Sequence, residues 1–476
     1  MQGVPAEPFR PIIGQLFQIR SFLKHSHIME YFENLQTKHG SVFLLPMKSE
    51  MRLVIHEPDY ITDILKIQKK NYVKADFYKL TLSPVIGLHN LLVSESEEHE
   101  RSRRMLNPAF RNINLRSMIP IMAEQTQKVF EDWFNKNELD AQEELSRLTL
   151  MIIASAAFGQ NRETIENSRP IIHEIFTDVL NAIQHRLFNP LSSIPFLSML
   201  PIMKKPIIDQ GADKIRQFVD QIILARRQRS SQSQCQGSDI LDLLLSAKDD
   251  NGQGFSNCQI REETLAFILA GHETTSTLIT WCLYVVMTNS EVYRACLQEV
   301  DHVLQDGTEL DHHKLDQLQV IEAVIYETLR LYPPVPFFIR QCIQEHIIGG
   351  GDSKQQPISV PRGVIVHINT YILHRLEKYW GMNADQFDYN RWLKNPETGV
   401  KPKLKHPFCY LPFSAGNRNC IGQHFALIEA KVILSLFFKY FTFKMVEGQI
   451  VVPDFSLTMK LAYGLRMKIK RRSLSE

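Results

Sequence analysis

Apolar and polar residues alternate along residues 41–56, with Val42, Leu44, Leu53 and Ile55 in step, and this two-residue period predicts a β-hairpin. The period lengthens to that of a helix over 119–159 and again over 170–188. An apolar stretch at 190–206 follows, broken by Pro190, Pro195, Pro201 and Pro206, and then a helix to about residue 228. Residues 230–238 are polar and of low complexity and predict a loop. A short helix at 239–247 and a turn at 249–254 lead into a long helix over 261–289. Another helix ends near Leu331, where Pro333-Pro334 stops it. Strands are expected at 363–371 and 465–469. Ala426, Leu427, Ala430, Ile433, Leu434 and Phe437 form the apolar stripe of one more helix. The fold class is mainly α with a smaller β portion.

Composition narrows the function. A chain of 476 residues could hold two or three domains, but no long Gly/Ser/Pro linker and no repeat divides it. The hydrophobic fraction of 44% is enough for a large core, and a net charge of +2 argues against a nucleic-acid binder. No run of about 18 apolar residues occurs, so no membrane-spanning helix is expected within it. Seven cysteines at irregular spacing give neither a disulfide framework nor a Cys-x-x-Cys metal pair, which fits a reducing, cytosol-facing environment. Cys235, Cys258, Cys282, Cys296, Cys342 and Cys409 are read as buried, inert side chains.

Cys420 is different. It stands in Phe413-Ser-Ala-Gly-Asn-Arg-Asn-Cys-Ile-Gly422, a tight loop ahead of a helix, where free N–H groups and the helix dipole stabilise a thiolate. Gly416 and Gly422 permit tight turns and close approach of a flat ligand, and Arg418 can pair with an anionic group on it. On the long helix, Ala270-Gly271-His272-Glu273-Thr274-Thr275 is poor helix-interior chemistry, and its hydroxyls are expected to open the helix locally. His272-Glu273 is no zinc-protease motif, because Ser276 stands where the second histidine would be. No Gly-x-Gly-x-x-Gly fingerprint for a dinucleotide occurs.

The pattern Phe413-x-x-Gly416-x-Arg418-x-Cys420-x-Gly422 resembles the haem-binding loop of the cytochrome P-450 family. The resemblance runs from about Pro5 to about Lys470 and implies one large domain around a buried haem, spanning 1–476. It implies haem b (iron protoporphyrin IX), with Cys420 as the axial thiolate and all other contacts non-covalent. Ala270 stands where some fatty-acid-hydroxylating members carry a glutamate that is esterified to haem. The 270–275 segment resembles the oxygen-activation motif, which makes Thr274 and Glu273 a proton relay. Glu327-x-x-Arg330 with Phe387-x-x-x-Arg391-Trp392 resembles the family's core network, a structural support for the Cys420 loop. His99-x-x-x-Arg103 resembles a Trp-x-x-x-Arg motif, and with Arg340 and Arg418 it is expected to bind the haem propionates. Phe267, Ala270, Val335, Phe337 and Phe338 are expected to line an apolar substrate pocket, with Val335, Phe337 and Phe338 making one wall of it apolar.

The function implied is a haem-thiolate monooxygenase that inserts one atom of O2 into an apolar lipid, sterol, terpenoid or xenobiotic. Electrons would come from NADPH through a separate flavoprotein reductase. The alternative is a haem-thiolate isomerase or dehydratase that rearranges peroxides without a reductase, and a second is a non-catalytic haem carrier. Glu273 and Thr274 disfavour both. Arg101, Arg103, Arg104 and Arg111 cluster in sequence and are expected to steer an acidic reductase. The Pro-rich residues 1–14 resemble the segment after a microsomal membrane anchor, here expected to have been removed. The expected location is the cytosolic face of the endoplasmic reticulum membrane; 190–203 reads either as buried core or as a segment dipping into the membrane surface with Lys204 and Lys205 at its headgroups.

Overall fold

The computed structural model describes residues 1, 3–10, 14–22, 27–47, 50–158, 175–187, 203–230, 239–305, 307, 309–350, 355–455 and 457–472. The apolar stretch at 190–203 falls, up to Pro201 and Ile202, outside the described residues, as do Cys235 and most of the predicted polar loop.

One helix organises the molecule. Asn257–Thr288 begins with a capping box, Ser256 accepting from the Gln259 N–H and Gln259 from the Ser256 N–H. It starts four residues earlier than apolar periodicity indicated, because its first turn is polar. Its residues from Glu262 to Leu283 are buried on every side except at Ala270, Gly271 and Thr274. Around it pack Ala141–Phe158, Gln319–Leu331 and Gln423–Tyr440. Gly271 has a packing reason, since a Cβ there would lie 3.2 Å from the Ile153 side chain. The expected local opening is not present: the helix is continuous, and Thr274 Oγ1 donates to Ala270 O at 2.6 Å, as Thr264, Thr277 and Thr280 do to their own i−4 carbonyls.

The predicted hairpin is Val42–Met47 paired with Glu50–Ile55, in a register that sets Val42 against Ile55 and Leu44 against Leu53. It forms one side of a five-stranded sheet, continued by Ile365–Asn369, Phe337–Cys342 and Tyr72–Val73. The helical region at 119–159 is two helices, Ile119–Trp133 and Ala141–Phe158. Between them Glu138–Asp140 pairs with the C-terminal strand Arg466–Arg471, a partner more than 300 residues away that local periodicity cannot reveal.

Candidate active site

The Cys420 loop is built by backbone geometry. Cys420 N donates to Phe413 O at 2.9 Å, closing the loop, while Phe413 packs on the main core. Gly416 has φ +76°, and a Cβ there would lie 2.3 Å from Leu65 O, so no side chain fits. Gly422, at φ −83°, needs no glycine for its turn. A Cβ there would meet Cys420 Sγ at 3.9 Å, an ordinary contact, so the protein's own atoms do not demand glycine at this position. Gly416→Ala is therefore expected to shift the loop and lower haem content, read as Soret absorbance per protein. Full haem occupancy in that variant would contradict this role.

Cys420 is an exposed cysteine; Cys282, Cys296, Cys342 and Cys409 are buried. Cys258 is exposed too, against the sequence expectation, because it lies in the polar first turn of the long helix. The surroundings of Cys420 Sγ pull in two directions. Desolvation by the enclosing protein pushes the thiol pKa up, while the Gly422 N–H, Arg103 and Lys74 push it down. The upward push is the larger, and a metal cation bound at Cys420 would favour the thiolate.

Beside the loop is a concentration of positive charge. Arg103 donates to Asn419 O at 2.7 Å and to Asn419 Oδ1 at 2.9 Å. Arg418 pairs with Glu95 through Nη2, yet its buried Nη1 has no partner. Arg340 is 7% exposed, and its guanidinium donates to Ile339 O at 3.0 Å and lies over the Phe338 ring. His99 is buried and pushed down to about 3, by desolvation first and then by Arg418, Lys74, Arg103 and Arg340. Lys74, which sequence reasoning missed, is pushed down to about 7 by burial and by Arg340 and Arg418. Glu95 is the carboxylate that offsets these cations. A half-buried group of four cations and one carboxylate, with Arg340 buried, fits a ligand carrying two further carboxylates, as haem does. Haem iron held by a thiolate supplies the binding and cleavage of dioxygen.

Behind the loop, Glu327 and Arg330 are fully buried. Arg330 Nε and Nη2 donate to Glu327 at 2.9 and 2.7 Å. Glu327 also accepts from Trp392 Nε1 at 2.8 Å and from Asp388 N at 3.0 Å, and Arg391 Nε lies 3.4 Å away. The link to the loop is His374, another residue not identified from sequence. Arg330 Nη1 donates to His374 O at 2.8 Å, and His374 Nε2 accepts from Leu411 N at 2.8 Å, two residues before Phe413.

His374 and His56 are pushed down to about 3, and His367 well below its usual value, all by desolvation first. The unfolded chain protonates these imidazoles first. Their contribution is complete above the usual value of 6.5 and is lost as pH falls from there toward about 3. Each contributes up to about 1.4 kcal/mol per pH unit within that window. Thermal unfolding midpoints are expected to drop steadily below pH 6.5, with a shallower slope in His56→Leu. An unchanged slope in that variant would contradict the assignment.

The pocket residues are not all together. Ala270 and Thr274 form the accessible stripe of the long helix, and Phe267 packs on Phe110 with ring centroids 5.2 Å apart. Val335 is partly exposed. Phe337 and Phe338 are successive residues of one strand and face opposite sides. Phe337 packs against His367 and Phe455, whereas Phe338 lies under Arg340, so they cannot form one wall. Glu273 has partners that the local sequence does not reveal. Its carboxylate is 2.6 Å from Lys460 Nζ and accepts from Thr458 Oγ1 at 3.4 Å. The proposed basic face is smaller than the sequence implied, because Arg101 is bonded to Asp249, Arg104 lies 3.7 Å from Asp250, and Arg103 faces the Cys420 loop.

A loop that presents an accessible thiol beside a cluster of cations fits a thiolate-ligated haem. The cytochrome P-450 family profile matches residues 4–470, and the chain belongs to that family. It is 30% identical to rabbit cytochrome P-450 4A6 over 99% of this chain and 90% of the relative. It is 29% identical to the pig taurochenodeoxycholic 6 alpha-hydroxylase over 88% of this chain and 82% of the relative. Among solved structures, the retinoic acid bound cyanobacterial CYP120A1 superposes with a TM-score of 0.83 at 22% identity, covering 98% of this chain and 99% of the other. The protein is thus a cytochrome P-450 monooxygenase with a thiolate-ligated haem, acting with oxygen, a redox partner and a hydrophobic substrate.

Proposed function

We propose that this monooxygenase carries haem b and hydroxylates a lipid- or sterol-like substrate with electrons from NADPH through a flavoprotein reductase. The observation that carries the reading is the juxtaposition of the Cys420 loop with His99, Lys74, Arg103, Arg340 and Arg418. His99, Arg103, Arg340 and Arg418 bind the two propionates, with Lys74 added to the set. The Glu327–Arg330–Arg391 network holds the loop through His374. Thr274 supplies the hydroxyl of the proton relay from the accessible stripe, and Glu273 supplies the acid. With alanine at 270, no carboxylate there can be esterified, so acid extraction should remove all the haem.

The pig relative's name, a hydroxylase of a bile acid conjugate, supports a lipid-like substrate. Similarity to rabbit cytochrome P-450 4A6 supports placement at the endoplasmic reticulum membrane. Among the described residues no helix is long and apolar enough to cross a membrane. The test is reconstitution with NADPH and a flavoprotein reductase under isotopically labelled O2, with a panel of fatty acids and steroids. One labelled oxygen per product is expected, and product that forms without reductase or carries unlabelled oxygen would sink the reading. Product that forms without reductase would favour the isomerase alternative.

A further inference from the structure

Residues 87–95 join the helices Asp76–Ile86 and Ser96–Leu106, and the second of these carries His99 and Arg103. The segment is tied in two places. Toward the haem site, Lys74 Nζ donates to Leu92 O, Lys74 N donates to Glu95 Oε1 at 2.9 Å, and Arg418 pairs with Glu95. On the other side, two successive carboxylates of the long helix take its backbone. His89 N donates to Glu262 Oε2 at 2.5 Å, and Leu91 N donates to Glu263 Oε2 at 3.0 Å. Gly87, at φ +76°, gives Glu262 its room, since a Cβ there would lie 1.9 Å from Glu262 Cδ. Glu263 is fully buried, and among the described residues it has no cation partner. Glu98 and Glu262 act on it with like charge. His89 is paired with Glu98 at 2.8 Å, Arg261 with Asp220 at 2.8 Å, and Cys258 Sγ donates to Glu262 at 3.4 Å. The Ser102 side chain, next to Arg103, also interacts with the Glu263 carboxyl, yet Oε1 has no partner in good hydrogen-bond geometry. A proton on Oε1 supplies a donor there and removes an uncompensated buried charge.

We propose that Glu262 and Glu263 form a clasp that holds residues 87–95, and with them Glu95, against the haem-binding cations, and that the clasp stays shut while Glu263 carries its proton. The consequence for haem rests on the reading of His99, Arg103, Arg340 and Arg418 as propionate ligands; the clasp itself does not. Burial pushes the Glu263 carboxyl up to about 8, with Glu98 and Glu262 adding to the rise and the Leu91 N–H and Ser102 opposing it. Local opening exposes the carboxyl and returns it to the ordinary 4.5. The closed form therefore keeps its proton at pH values where the open form has lost it. Opening grows easier by up to about 10-fold per pH unit as pH rises from 4.5 toward about 8, and no further above that. Glu263 is a positioning residue, since it acts through Leu91 and Ser102.

The amide of Glu263→Gln separates this role from a merely structural one, because it keeps an acceptor for Leu91 N and a donor in place of the acid proton but cannot ionise. The test is hydrogen exchange of residues 87–95 in the haem-loaded protein, corrected for intrinsic rates, together with the rate of haem transfer to excess apomyoglobin. Protection of the wild type relative to E263Q is expected to fall about 10-fold between about pH 6.5 and about pH 8, and its haem transfer relative to E263Q to speed up in step. The ratio removes other groups that titrate in this range, Lys74 among them. Gly87→Ala displaces Glu262 and is expected to lose protection at both pH values. A wild type that parallels E263Q in exchange would overturn the clasp. Divergent exchange with parallel haem transfer would overturn its hold on the haem site. Failure of the wild type to take up haem would count against the haem reading itself, and exchange in the haem-free chain would still decide the clasp.

Discussion

Glu327→Gln is expected to purify largely free of haem and to be destabilised by about 3–5 kcal/mol, the cost of breaking a buried ion pair by removing one partner. Arg330 is fully buried, and Glu327 is its ion-pair partner. Both carboxylate oxygens are engaged, one by Arg330 Nη2 and Asp388 N, the other by Arg330 Nε and Trp392 Nε1. An amide turns one of these acceptors into a donor facing donors and leaves the guanidinium uncompensated. The loss travels along a defined path, from Arg330 to His374 and on to Leu411 at the base of the Cys420 loop. Folded domains are stable by only about 5–15 kcal/mol, so a cost of this size removes a large share of the margin. The exposed pair of Glu124 and Lys128, at 2.6 Å, gives the contrast, and its removal is expected to change stability by less than about 1 kcal/mol. Urea midpoints and Soret absorbance per protein check both. Haem content close to wild type in Glu327→Gln would show that the network does not support the loop.

Cys420→Ser should abolish product formation while leaving the fold intact. Loss of a group that merely orients a metal ligand costs about 10–100-fold, and loss of the ligand itself should cost at least about 100-fold. The hydroxyl is smaller than the thiol and fits the loop, because the loop is held by backbone bonds such as Cys420 N to Phe413 O and by Gly416 against Leu65. Cys258 is the control. It is exposed too, but it lies in the polar first turn of the long helix beside Glu262 and Arg261, away from the Cys420 loop, so Cys258→Ser is expected to keep wild-type turnover. Equal losses in the two variants would mean that Cys420 has no special role.

How much of this was legible in the sequence follows from how local each feature is. The Cys420 loop and the Glu327–Arg330 pair are short-range patterns, ten residues in one case and one helical turn in the other, and both could be read directly. The hairpin was legible because its register follows from alternation. Lys74, Glu95, His374 and Lys460 were not, because their roles exist only across the fold: Arg418 and Glu95 are 323 residues apart. Glu273 was legible as an acid beside a threonine, but the direction of its side chain depends on a hairpin 185 residues later. Phe337 and Phe338 were misread as one wall because adjacency in sequence was taken for adjacency in space, which a strand forbids. The glycine at 271 was read as helix weakening, whereas its cause is the approach of Ile153 from another helix.

The central claim is that Cys420 binds haem iron as a thiolate, and the spectrum of the ferrous protein with carbon monoxide tests it most directly. A Soret band strongly red-shifted in the manner of thiolate ligation is expected in the wild type and should be absent in Cys420→Ser. A band at the position typical of imidazole ligation, unchanged by that substitution, would contradict the account.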